Sequence, residues 1–156
     1  MHVLATESGQ MDFAPGTARE RAVLAKLAPG DGYVPYERVL SGPGFLTLYS
    51  TLCALRGQAP RLATPEAVTA AALAGNDADA VETVETFCAV LGGFVGNLAL
   101  AFMASGGVYL AGGVLPEIRP MLQRSRFVER FLDKGGMREL LLRVPVRLIE
   151  HGRHGV

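Results

Sequence analysis

The chain has 156 residues, 49% of them apolar and 19% charged, with 15 Lys and Arg balancing 15 Asp and Glu. That length supports one ordinary domain with a core, and that balance excludes both disorder and a broad nucleic-acid surface. Cys53 and Cys88 form no Cys-x-x-Cys and join no ligand cluster, and Met1–Glu7 shows no secretory pattern. A disulfide framework and a structural zinc site are therefore excluded, and a cytoplasmic location is expected.

Residues 1 to 15 read as an extended opening that ends at Pro15, because proline disfavours helix for Ala14. A helix follows over Ala18–Leu27, with Thr17 as its cap, Glu20 in capping-box register and Pro29-Gly30-Asp31-Gly32 as its stop. Tyr36–Leu40 and Phe45–Leu55 read as two helical pieces joined by the turn Ser41-Gly42-Pro43-Gly44. Thr64-Pro65-Glu66 opens a further helix, rich in alanine up to Gly75.

From Thr86 to Pro116 no side chain is charged, a stretch long enough to span a bilayer core. Its glycines divide it: Gly106-Gly107 and Gly112-Gly113 bracket the β-favouring Val108–Ala111, which predicts helix, turn, strand, turn. The helix starts at Asn76 or Asp77, keeps an amphipathic pattern through Phe102 and has no flanking basic cluster, so a buried helix is expected and not a membrane span. Gly92, Gly93 and Gly96 each cost about 1 kcal/mol relative to alanine, which predicts close approach by another element. Leu115–Gln123 and Phe127–Leu132 read as helices, and Val144–Ile149 as a strand with Pro145 at its start or on an edge. The pattern is α/β, helix-rich with a small, largely parallel sheet.

Three places carry candidate chemistry. In Thr6–Asp12, polar side chains around Gly9 form either an acceptor-rich edge for a polyhydroxylated ligand or a solvated loop. Glu37, just before Ser41-Gly42-Pro43-Gly44, sits either in a pocket whose turn aims N–H groups at an anion, or at the surface paired with Arg38 or Lys26. Tyr109–Val114 runs from a strand into Gly112-Gly113, either a seat for a flat ring or phosphate or a plain helix start. No Walker A motif, complete G-x-G-x-x-G or G-x-S-x-G is present, and His151-x-x-His154 reads as an exposed tail rather than a metal site.

In order and spacing, Glu7-Ser8-Gly9-Gln10-Met11-Asp12-Phe13-Ala14-Pro15, Glu37–Gly44, Gly96-Asn97-Leu98-Ala99-Leu100 and Gly106–Pro116 resemble the bacterial glucokinase family of the actin-like superfamily. The likeness extends through Phe131–Gly135 and Val144–Val146. It implies a partial actin-like (ribonuclease H-like) lobe, ATP with Mg²⁺ as co-substrate, glucose as acceptor and a homodimer. By the same resemblance Glu7 and Glu37 hydrogen-bond glucose hydroxyls, and Gly112 and Gly113 support the adenosine. Gln10 stands where the family pattern has histidine, and Ser8 where it has glycine.

The family's N-terminal phosphate loop, its Asn-Asp pair with the general base and its second phosphate loop all lie before the point that matches Met1, and the closing segment expected after His151 is cut short. Residues 1–156 are thus expected to form one partial domain, the C-terminal large-lobe portion, inactive alone and prone to self-association through an open sheet edge. A non-catalytic sugar-binding or oligomerisation module is the alternative.

Overall fold

The computed structural model describes residues 5–28, 30 and 32–149. Helix α1 (Ala18–Leu27) begins where Thr17 Oγ1 accepts the Glu20 N–H at 3.1 Å. The Glu20 carboxylate accepts from the Gly16 N–H at 2.6 Å, one residue earlier than a standard capping box. Helix α4 (Pro65–Ala74) is capped by Thr64 and stopped by Gly75 at φ +70°. Asp77, not Asn76, caps the long helix α5 (Ala78–Ala101), accepting the Ala80 N–H at 2.9 Å.

Between these lie α2 (Glu37–Leu40) and α3 (Gly42–Leu55). Ser41-Gly42-Pro43-Gly44 is not the connecting turn that composition predicts: it is the first turn of α3. Ser41 Oγ caps it by accepting the Gly44 N–H at 2.9 Å, and Pro43 occupies a position where no intrahelical donor is needed.

Helix α5 is apolar and long enough to cross a bilayer by length and composition, but 61% of its apolar window is buried inside the protein. It is the core helix, packed against α1 to α4 and against the segments that follow. The helix expected over Leu115–Gln123 is instead two, α6 (Val114–Glu117) and α7 (Arg119–Arg124), parted at Ile118, with Pro116 and Pro120 on either side lacking the N–H that a continuous ladder requires. Helix α8 (Phe127–Leu132) lies along α5, and a 3₁₀ turn (Gly135–Met137) and α9 (Arg138–Leu141), neither evident in the sequence, complete the helical part.

The glycines of α5 explain the α8 contact. A Cβ on Gly92 would fall 2.2 Å from the Phe127 carbonyl oxygen, and one on Gly96 would fall 2.6 Å from that of Phe131. Backbone meets backbone here, so only hydrogen fits. Arg130 of α8, 6% exposed, lies beside this seam and pairs with Glu20 of α1, 1% exposed, at 3.3 Å, and with Asp133 at 2.7 Å.

Among the described residues the sheet has two parallel strands, β1 (Val108–Leu110) and β2 (Val146–Leu148), in register Val108↔Val146, Tyr109↔Arg147 and Leu110↔Leu148, joined by the helical run from α6 to α9. Pro145 directly precedes β2 and its carbonyl accepts the Val108 N–H at 2.8 Å. Both cysteines are buried and unpaired, and burial pushes the Cys88 thiol up to about 12. His151 and His154 lie outside the described residues.

Candidate sugar edge and nucleotide cleft

Polar loop and glutamate meet at one edge. Ser8–Gln10 forms a 3₁₀ turn in which the Gln10 N–H donates to the Glu7 carbonyl at 2.9 Å. Beyond it the chain runs antiparallel to the segment entering α2: Phe13 N–H donates to Val34 O at 2.8 Å and Tyr36 N–H to Met11 O at 3.0 Å, with an Asp12↔Pro35 bridge between them. This pairing sets the turn on the first residue of α2. A Cβ on Gly9 would lie 3.6 Å from the Glu37 Cβ, and Gln10 Nε2 donates to Glu37 Oε2.

Glu37 therefore meets Gln10 rather than either cation on which a surface role would depend. Glu7, Gln10 and Glu37 are all exposed, as a ligand-facing edge requires. Beneath them Tyr36 is buried, its ring 5.7 Å from that of Phe13 and 4.4 Å from that of Phe94. Burial raises the Tyr36 phenol above its ordinary value, so it stays neutral and accepts from Asn97 Nδ2 at 3.5 Å. Asn97 belongs to Gly96–Leu100, so that motif supports the edge from below.

Glu37 also lines a cavity of about 300 Å³ with Pro35, Arg38, Ser41, Pro43, Gly44 and Thr47. Glu7 and Gln10 do not line it; they stand on the loop beside it. Ser41 lines in addition a second cleft, of about 370 Å³, on the far side of the α2–α3 junction. That cleft runs over Phe87 and Leu91 of α5 to Gly112 and Gly113 at the carboxyl end of β1.

The two glycines differ. Gly112 has φ +152°, a conformation side chains rarely adopt, whereas Gly113 lies in the ordinary helical region at φ −67°. A Cβ on Gly113 would meet nothing within 4 Å. The fold thus requires glycine at 112 and leaves open space at 113.

Among its described lining residues the cleft has the carboxylates Glu66 and Glu117 and neither lysine nor arginine. Its chemistry suits an uncharged ring and hydroxyls, which carboxylates accept from, better than a chain of phosphates. Among the described residues no group of three His, Cys, Asp or Glu could hold a metal ion. Nor is the Gly44 N–H free for an anion, since Ser41 holds it. The capping role of Ser41 was missed because Ser-Gly-Pro-Gly reads as a turn, although a serine ahead of an early proline could have signalled it, whereas nothing in the sequence marks Tyr33, whose hydroxyl donates to the Gln10 carbonyl.

A sequence profile of glucokinases matches residues 1–156. A glucokinase-like protein of Xylella fastidiosa is 49% identical over 154 residues, covering 99% of this chain and 46% of the relative. The glucokinase of Saccharophagus degradans is 42% identical over 146 residues, covering 94% of this chain and 46% of its own. In three dimensions the crystal structure of glucokinase from an Antarctic psychrotroph superposes with a TM-score of 0.90 at 35% identity, over 97% of this chain and 47% of that one. The chain spans just under half the length of these relatives, and it belongs to the glucokinase family.

Proposed function

We propose that this chain supplies the sugar-holding and adenosine-seating part of a glucokinase-type enzyme that transfers the γ-phosphoryl group of ATP to glucose, giving glucose 6-phosphate in glycolysis. Glu7 and Glu37 accept hydrogen bonds from glucose hydroxyls, and Gln10 contributes an amide where the family pattern has histidine. Adenosine rests on Gly112 and Gly113, where the missing side chain at 113 leaves room for a ring. The observation that carries this reading is the shared wall: Ser41 borders both the cavity reached by Glu37 and the cleft floored by the two glycines. A sugar and a nucleotide bound on the two sides of α2–α3 would be neighbours, which phosphoryl transfer requires.

Within this reading the general base, the phosphate loops and the surroundings of Mg²⁺ belong to the part of the family sequence before the matched stretch. Magnesium keeps several waters and is held largely through phosphates, so within this reading it enters with the nucleotide. The 156 residues by themselves are thus proposed to bind without turnover, as a homodimer in the cytoplasm. The second reading, a non-catalytic sugar-binding or oligomerisation module, shares the edge but not the cleft.

Calorimetry with glucose and with adenosine, beside a coupled assay on this chain and on a version extended to the relatives' full length, separates the readings. Glucose and adenosine binding without turnover, and turnover on extension, is the expected result. Glu37→Gln should lower glucose affinity about tenfold or more, because a charged acceptor is lost, with the unfolding midpoint unchanged. If glucose binding is absent, or indifferent to Glu37→Gln, the sugar assignment fails; if adenosine does not bind, the module reading gains.

A further inference from the structure

Tyr33 lies in the segment leading to α2, is 57% exposed and belongs to none of the motifs that carry the family likeness. Its hydroxyl donates to the backbone carbonyl of Gln10 and stands 3.4 Å from Gln10 Oε1. The other end of the same amide, Nε2, donates to Glu37 Oε2. Three side chains from two separate segments thus form a relay, Tyr33 to Gln10 to Glu37.

A phenol has one proton to give, and a glutamine side chain has a donor end and an acceptor end. Tyr33 directs its one proton mainly to the Gln10 backbone carbonyl, fixing the turn, and shares it more weakly with Gln10 Oε1 at 3.4 Å. The Glu37 carboxylate accepts from Nε2 while the Tyr33 hydroxyl donates to Oε1, so an acceptor at one end and a donor at the other agree on which way the amide faces. An exposed glutamine without such a partner samples many rotamers, and binding a ligand through it would require ordering it first.

Resting on the reading that Gln10 and Glu37 face the sugar, we infer that Tyr33 is a positioning residue for sugar recognition, acting through Gln10. With Glu37 Oε2 occupied by Gln10, Glu37 Oε1 is left to accept from a ligand hydroxyl, and the second Gln10 N–H is left to donate to one. A group meeting that pair must both give and receive a hydrogen bond. A hydroxyl does so; a deoxy position or a methyl ether does not.

The test uses Tyr33→Phe, which keeps the ring and removes the hydroxyl, with Gln10→Ala and the double variant, each titrated with glucose by calorimetry. The Gln10 side-chain amide is also observed by ¹H–¹⁵N NMR in the ligand-free chain, assigned by its disappearance in Gln10→Ala. Tyr33→Phe is expected to weaken glucose binding about fivefold, the scale of one net hydrogen bond, to add nothing in the Gln10→Ala background and to shift the Gln10 amide resonances. Its unfolding midpoint should match wild type. Wild-type glucose affinity in Tyr33→Phe, additive losses in the double variant, or unmoved Gln10 resonances each overturn the role of Tyr33. Failure of the wild-type chain to bind glucose overturns the sugar assignment, and this inference with it, so the two failures are distinct.

Discussion

The α5–α8 seam and the edge-and-cleft region both depend on glycine, for opposite reasons. Along the seam, glycine is imposed by the protein itself, since a Cβ on Gly92 or Gly96 would strike the backbone of α8. In the cleft, a Cβ on Gly113 would meet nothing. The polar groups divide the same way: Glu20 and Arg130 are shut in beside the seam, whereas Glu7, Gln10 and Glu37 are displayed. Side-chain freedom lost to packing marks structure; open space at Gly113 is what the proposed nucleotide seat would use.

The largest effect that can break this contrast is at the buried pair. The Arg130 guanidinium occupies the space beside Gly16, where a Cβ would fall 1.7 Å from Nη2, and reaches Glu20 from 110 residues away in sequence. Arg130→Met strands the Glu20 carboxylate in the interior, for which a loss of about 4 kcal/mol is expected in urea unfolding. Glu20 Oε1 and Arg130 Nε have no hydrogen-bond partner among the described residues, so the pair is imperfectly satisfied. The double variant Glu20→Leu, Arg130→Met should therefore recover most of the loss. A single variant costing under about 1 kcal/mol would show that the pair is not the seam's anchor.

Glycine-to-alanine exchange sharpens the contrast directly. Gly92→Ala gains helix propensity of about 1 kcal/mol but overpacks against an immovable carbonyl, and a net destabilisation of about 2 kcal/mol is expected. Gly113→Ala should leave the urea midpoint unchanged and weaken adenosine binding about tenfold, the scale of one methyl group forced into ligand space. Equal stability losses at the two sites would dissolve the distinction, and unaltered adenosine affinity in Gly113→Ala would remove that residue from the nucleotide seat.

How much of this was legible in sequence follows the range of each interaction. Thr17, Thr64 and Asp77 each cap a helix within three residues of themselves, so α1, α4 and the start of α5 could be read directly. The α5 glycines announced a close neighbour but not which one, because α8 lies well beyond the end of α5, past β1 and two short helices. Ser41-Gly42-Pro43-Gly44 misled because its composition is that of a turn, while a serine cap and an early proline equally start a helix. The break at Ile118 lay hidden between two prolines that helices tolerate near their starts. At the site, each glutamate was visible singly, and only the family likeness joined them. What brings Glu37 to Gln10 is the backbone pairing of residues 11–13 with 34–36, which no local pattern encodes.

The smallest effect tests whether charge also matters where the seam's long helix begins. The Ala80 N–H donates to the Asp77 carboxylate and holds it below the ordinary carboxylate range; burial opposes this, and Arg61, at 3.1 Å, adds to the lowering. Because the folded value lies below the unfolded one, about 3.9, Asp77 contributes its full stabilisation above about pH 5 and loses it as pH falls through the folded value. An asparagine side chain in the same place would preserve the capping geometry without titrating, so Asp77→Asn isolates the charge. At pH 7 wild type should exceed Asp77→Asn by about 1 kcal/mol, from the helix dipole and Arg61 together. The two urea midpoints should draw together only as pH falls below the ordinary carboxylate range and through the folded value, since the background of other carboxylates is common to both and cancels in the difference. A gap that stays constant from pH 7 down to about pH 2 would mean that the cap works through hydrogen-bond geometry alone, and that the start of α5, like the glycines along it, is fixed by shape and owes nothing to charge.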